Sequence, residues 1–107
     1  VKRGDIVPVV LPGAYGKPRP ALVVQSDLFA ALPSMTIVPI TSELREAPLF
    51  RITLQPDADN GLRKVSQVMV DKMQTIPRSK LCEPVGRVDG ETMVAVTRAL
   101  AVFLGLA

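Results

Sequence analysis

Glycine and proline do more than any other feature to limit what this chain can become. There are ten prolines and seven glycines in 107 residues, and most fall between short apolar runs. Such runs are too short for a buried helix and suit strands. "DIVPVVL" (Asp5 to Leu11) reads as a first strand, with Pro8 arguing for an edge position or a bulge. "LPGAYGKPRP" (Leu11 to Pro20) is a loop, "ALVVQS" (Ala21 to Ser26) a central strand, and "DLFAALPS" (Asp27 to Ser34) a turn or helical turn. "MTIVPIT" (Met35 to Thr41) is the next strand. "LFRITLQ" (Leu49 to Gln55) alternates, with Phe50, Ile52 and Leu54 on one side and Arg51, Thr53 and Gln55 on a polar one. "PDADNG" is turn chemistry, "KVSQVMVDKMQTI" holds one or two strands, "PRSKLCEP" is a turn or one helical turn, and "VGRV" is a short strand.

The C-terminal segment is different. Asp89 is an N-cap, Glu91 stands in the first turn and Gly105 is a stop. Met93, Val96, Leu100 and Phe103 form one helical stripe, and Thr92 and Ala95 make the far side weakly polar. The expected architecture is a mainly β domain spanning 1-107, with five to seven short strands in a small, partly closed barrel and one C-terminal helix.

Composition narrows the chemistry. The chain has no histidine, which removes histidine-based triads, acid–base pairs and metal sites. A single cysteine, Cys82, excludes an internal disulfide, fits a reducing cytoplasm, and is expected to be a small half-buried apolar residue. No metal or other cofactor is therefore expected, and no segment is long and apolar enough to span a membrane. The net charge of +3 permits an anionic partner. The 48% hydrophobic content fits either a dense core or a buried oligomer interface.

Arg19 is the leading functional candidate. Pro18 is fixed in φ and Pro20 drives Arg19 towards extended backbone, so the guanidinium is carried on a stiff support. A planar, permanently charged fork held in place suits a phosphate. The hydroxyls of Thr41 and Ser42 close a strand and can bond local backbone or donate to a phosphate. Asp71 ends an apolar run and, on a regular strand, shares a face with Gln67 and Met69.

The blocks "KRGDIV", "RPALVVQSD", "VPITSEL" and "SQVMVDKMQTI", followed by a helix ending "FLGLA", together resemble the PemK/MazF family of toxins from bacterial toxin–antitoxin pairs. The resemblance implies an SH3-like β-barrel with a C-terminal helix, assembled as a homodimer. It implies a metal-free endoribonuclease for single-stranded RNA, silenced by a cognate antitoxin protein. It also implies catalytic roles for Arg19 and Thr41, with Tyr15, Lys17, Ser42, Gln67 and Asp71 facing the RNA. Attack by the RNA 2′-OH on the adjacent phosphorus would leave a 2′,3′-cyclic phosphate and a 5′-OH, with the base either Asp71 or solvent. Two alternatives fit the same blocks: a CcdB-like gyrase poison, which a chain without tryptophan fits poorly, and an inactive RNA-binding relative.

Overall fold

The computed structural model describes residues 1–11 and 16–107. Seven strands follow in order: β1 Asp5–Val9, β2 Arg19–Val23, β3 Ser34–Thr41, β4 Arg51–Leu54, β5 Ser66–Met69, β6 Gln74–Pro77 and β7 Gly86–Arg87. One helix, α1 Gly90–Phe103, comes last. Short 3-10 turns at Asp27–Phe29, Val70–Lys72 and Arg78–Lys80 fill three of the junctions. The sheet runs β4-β5-β3-β2-β1-β7, with β6 joined to β3, and every pair is antiparallel. Mainly β with one C-terminal helix is the expected class, and the antiparallel sheet curls into a half-barrel.

β3 is the spine. Its Ile37–Pro39 stretch pairs with β2 along one edge. The other edge is divided: Ser34–Ile37 pairs with β6, and Ile40 and Thr41 pair with β5. The 3-10 turn Val70–Lys72 lies between β5 and β6, so the segment read as one or two strands is two strands with a corner. This corner takes Asp71 off the strand, and the shared face with Gln67 and Met69 expected of a regular strand does not form.

Strand alternation sends apolar side chains to both faces. One face gives a cluster of Ile6, Leu22, Val38, Ile40, Leu54 and Val68, roofed by Val96, Ala99 and Leu100 of α1. The other gives Val7, Val9, Ala21, Val23, Met35, Ile37 and Ile76. Burial on both sides explains why β1 and β2 read as unbroken apolar runs.

Pro8 is not at an edge, since β1 pairs with β2 and with β7. It faces Pro20, so neither residue of that pair is asked for an N–H. On its other side the neighbour is an irregular segment, from which the Cys82 N–H donates to the Pro8 carbonyl. A missing donor is tolerated there. Cys82 itself is exposed, not half-buried as expected, because it lies on this irregular segment outside both clusters.

The Asp89 carboxylate accepts the Thr92 N–H at 2.8 Å, the cap that its residue type predicts. That bond holds the carboxyl below its ordinary value. The expected stripe needs one correction. Val96 and Leu100 are buried and Met93 packs partly against them, but Phe103 is half exposed, in the last helical turn beyond the roofed cluster. Among the described residues, no helix is long and apolar enough to cross a membrane.

Candidate active site

The register that closes the sheet also places Arg19 beside Thr41. The β2–β3 ladder ends with Ala21 opposite Pro39, and the same register continued two residues beyond it sets Arg19 against Thr41. Opposed residues on neighbouring antiparallel strands share a face, with backbones about 5 Å apart. The row continues outward, since Thr41 pairs with Gln67 on β5 and Gln67 pairs with Thr53 on β4. Arg19, Thr41, Gln67 and Thr53 thus form one polar row across four strands. It lies on the face opposite α1, beyond the end of the apolar cluster there.

A cavity of about 460 Å³ opens over the inner end of this row, lined by Arg19, Thr41, Ser42, Glu43, Ser66 and Met69 together with apolar neighbours. Arg19 is exposed at its mouth, and among the described residues no carboxylate forms an ion pair with it. The Thr41 hydroxyl oxygen accepts the Glu43 N–H at 3.1 Å, which leaves its O–H free to donate. This arrangement offers a positive fork and a hydroxyl donor to one tetrahedral anion, with a carboxylate nearby.

The loop over the outer end of the row, residues 42–50, is held by buried groups. Gln67 accepts from the Arg45 N–H (3.0 Å) and donates to the Arg45 carbonyl (3.0 Å), binding that residue's backbone on both sides. Its carbonyl oxygen also accepts from Arg51 Nη1 at 3.1 Å, and its amide donates to Thr53 Oγ1 at 3.3 Å. Arg51 Nη1 reaches the Glu43 carbonyl as well, at 3.1 Å. The side chain of Gln67 is therefore engaged inside the protein, beneath the cavity floor.

The alternation of "LFRITLQ" gives the correct sides for Ile52, Leu54, Arg51 and Thr53, but the polar side is only partly open to water: Thr53 and Gln55 are exposed and Arg51 is not. Arg51 is buried because the loop folds down on it, while Phe50 lies before the strand and is exposed. Periodicity in one strand carries no information about a loop that returns over it.

The other expected residues are scattered. Lys17 is exposed, two residues before Arg19. Asp71 is not among the residues lining the cavity and ion-pairs with its neighbour Lys72 at 3.4 Å. Tyr15 lies outside the described residues. Sequence reasoning missed Glu43 and Arg51. Glu43 sits in "TSEL", two residues past Thr41, and a carboxylate so close to a candidate donor was the available signal. For Arg51 there was none. Among the described residues, no group of three or more Asp, Glu or Cys is placed to hold a metal ion.

Comparison with known proteins gives a consistent result. Residues 2–104 match the family model described as PemK-like, MazF-like toxin of type II toxin-antitoxin system. A relative in Mycolicibacterium smegmatis named probable endoribonuclease MazF is 49% identical over 108 residues, covering 100% of this chain and 99% of that one. The Bacillus subtilis endoribonuclease EndoA is 30% identical, covering 99% of this chain and 96% of its own. Among solved structures, a mycobacterial endoribonuclease in complex with its cognate antitoxin superposes with a TM-score of 0.85 at 25% identity, covering 100% of this chain and 97% of that one.

Proposed function

Because the chain belongs to the PemK/MazF family of type II toxin–antitoxin toxins, we propose that it is an endoribonuclease toxin that cuts single-stranded RNA without a metal ion. The observation that carries the reading is the shared row: Arg19 and Thr41 stand level on adjacent strands and line one cavity. The RNA 2′-OH attacks the adjacent phosphorus, and the bond to the 5′ oxygen of the next nucleotide breaks. The products are a 2′,3′-cyclic phosphate and a 5′-OH. Negative charge grows on the non-bridging oxygens, where preorganised donors help most. Arg19 supplies two N–H groups and Thr41 one O–H, with Ser42 beside it.

The base is Glu43, the carboxylate that lines the same cavity, in preference to Asp71, which does not. Asp71 and Lys17 border the RNA path, with Tyr15 as a stacking platform. Gln67 contributes from below by fixing the loop that carries Ser42 and Glu43.

The partners are single-stranded RNA, a second copy of the chain and a cognate antitoxin protein. Half-exposed Val102, Phe103 and Leu104 near the end of α1 supply apolar surface for the two protein partners.

The test is incubation of the pure protein with a long RNA in EDTA, followed by mapping of the new ends. Cleavage is expected to persist and to give 5′-OH ends. Loss of cutting in chelator, restored by a divalent ion, would refute the metal-free mechanism. Glu43→Gln should lower kcat by about a hundredfold. An unchanged kcat would return the proton to solvent.

A further inference from the structure

A second, smaller cavity lies at the outer end of the polar row. Its volume is about 130 Å³, and it is lined by Arg45, Glu46, Ala47, Pro48, Arg51, Thr53 and Gln67. Its floor is unusual. Arg51 is only 8% exposed, yet among the described residues no carboxylate pairs with it. Nη1 is shared between the Glu43 carbonyl and Gln67. Nε is sealed from solvent with no acceptor at all. Nη2 has no partner among the described residues and is not sealed in that way. A buried cation left to neutral acceptors is costly to maintain, and an anion arriving beside it regains that cost. Arg45 stands exposed on the rim, so two cations face the cavity against the one carboxylate of Glu46.

We propose that this cavity is a second phosphate subsite, which grips a backbone phosphate of the RNA two nucleotide steps from the one being cut, with Arg51 as its buried cation and Arg45 and Thr53 at its rim. The proposal rests on the ribonuclease reading above. The cavity is lined by two guanidinium groups and a hydroxyl, with no aromatic ring among the described residues to stack on, so its chemistry suits backbone phosphate and not a base. Thr41 and Thr53 are two strand spacings apart, about 10 Å. A single nucleotide step falls short of that gap even when extended, and two steps bridge it. Glu43 joins the two sites: its side chain lines the first cavity while its carbonyl is held by Arg51. A phosphate drawn to Arg51 therefore bears on the segment that carries the proposed base.

Four measurements test this. With ¹⁵N-arginine protein, the Arg51 Nε–H resonance should shift on titration with an all-2′-deoxy oligonucleotide of the mapped cut sequence. Arg51→Met should raise KM about tenfold and lower the slope of log KM against log salt by about 0.7, the loss of one phosphate contact on a single strand. Arg45→Ala, whose side chain takes no part in the buried network, should raise KM severalfold with kcat kept. In the parent, a neutral methylphosphonate two steps from the cut, on one side of it, should raise KM, and in Arg51→Met that penalty should vanish. If RNA is cut but the Nε–H does not move, and neither variant alters KM or the salt slope, the subsite is refuted and Arg51 is a loop clamp only. A fall in kcat alone in Arg51→Met refutes the subsite equally. Failure to cut any RNA would instead strike the ribonuclease reading, and an Nε–H unmoved by a mixed-sequence all-2′-deoxy oligonucleotide would then remove the subsite as well.

Discussion

The two faces of the sheet use the same strands and finish them in different ways. Beneath α1, Ile6, Leu22, Val38, Val68 and Val96 meet in one apolar cluster. On the opposite face the apolar cluster stops at Val9, Ala21 and Ile37, and the strands continue into Arg19, Thr41, Gln67 and Thr53. There the covering is a loop tied down by hydrogen bonds, so shape depends on the directional pairing of a few groups. The helix face stabilises through area removed from water, which tolerates small adjustments. The loop face depends on polar partners that must all be present, because a buried donor without an acceptor costs roughly 1–3 kcal/mol. The difference separates stability from activity: damage to one face should unfold the protein, and damage to the other should leave a folded, poor enzyme.

Arg19→Ala is the sharpest way to break that division. It removes an exposed side chain, so thermal unfolding should barely change while kcat/KM falls by about a hundredfold to a thousandfold. Arg19→Lys should recover little, because a point charge does not reproduce the fork. A folded Arg19→Ala that cuts RNA at the parent rate would show the site is elsewhere. Leu100→Ala asks the opposite of the helix face. Denaturant unfolding should show a loss of about 2–3 kcal/mol, the low end for a core leucine, with kcat unaltered in the folded fraction. A selective loss of activity would mean the faces are coupled.

Gln67→Leu tests whether the loop face works through position. It removes the bonds to Arg45, Arg51 and Thr53, and kcat should fall about tenfold while RNA affinity changes less. A change confined to KM would make Gln67 a direct RNA contact. The smallest effect belongs to Asp89. Its carboxyl is held low by the Thr92 N–H, so the folded form binds that proton more weakly than the unfolded chain. The cap's contribution is therefore complete above the ordinary value of 3.8 and fades as pH falls through the lower folded value. Asp89→Ala should lower Tm slightly at neutral pH and not at all in strong acid. A deficit that persists in acid would assign the loss to something other than the carboxylate.

How much of this was legible depended on the range of the cause. The cap at Asp89, the helix, the turn at 56–61 and the stiff Pro18-Arg19-Pro20 support all follow from neighbours within a few residues. The meeting of Arg19 and Thr41 at one cavity was reachable only through family resemblance, since register is settled by the whole sheet. Arg51 was read as a solvent-facing residue because strand period reports which side a chain faces and not what later covers it. Asp71 was placed wrongly relative to Gln67 for a local reason: one 3-10 turn after Met69 ends the period. Phe103 failed where the helix outruns the cluster it roofs.

The late position of α1 bears on the order in which the chain leaves the ribosome. Every strand that frames the cavity is synthesised before Gly90, yet one face of those strands stays bare until Val96, Ala99 and Leu100 arrive. β1 likewise waits for β7, its partner at Asp5 and Arg87, near the other end of the chain. Contacts this distant in sequence form late and together. A chain that has emerged only as far as β7 is consequently a sheet without its roof, with Ile6, Leu22, Val38 and Val68 still facing water.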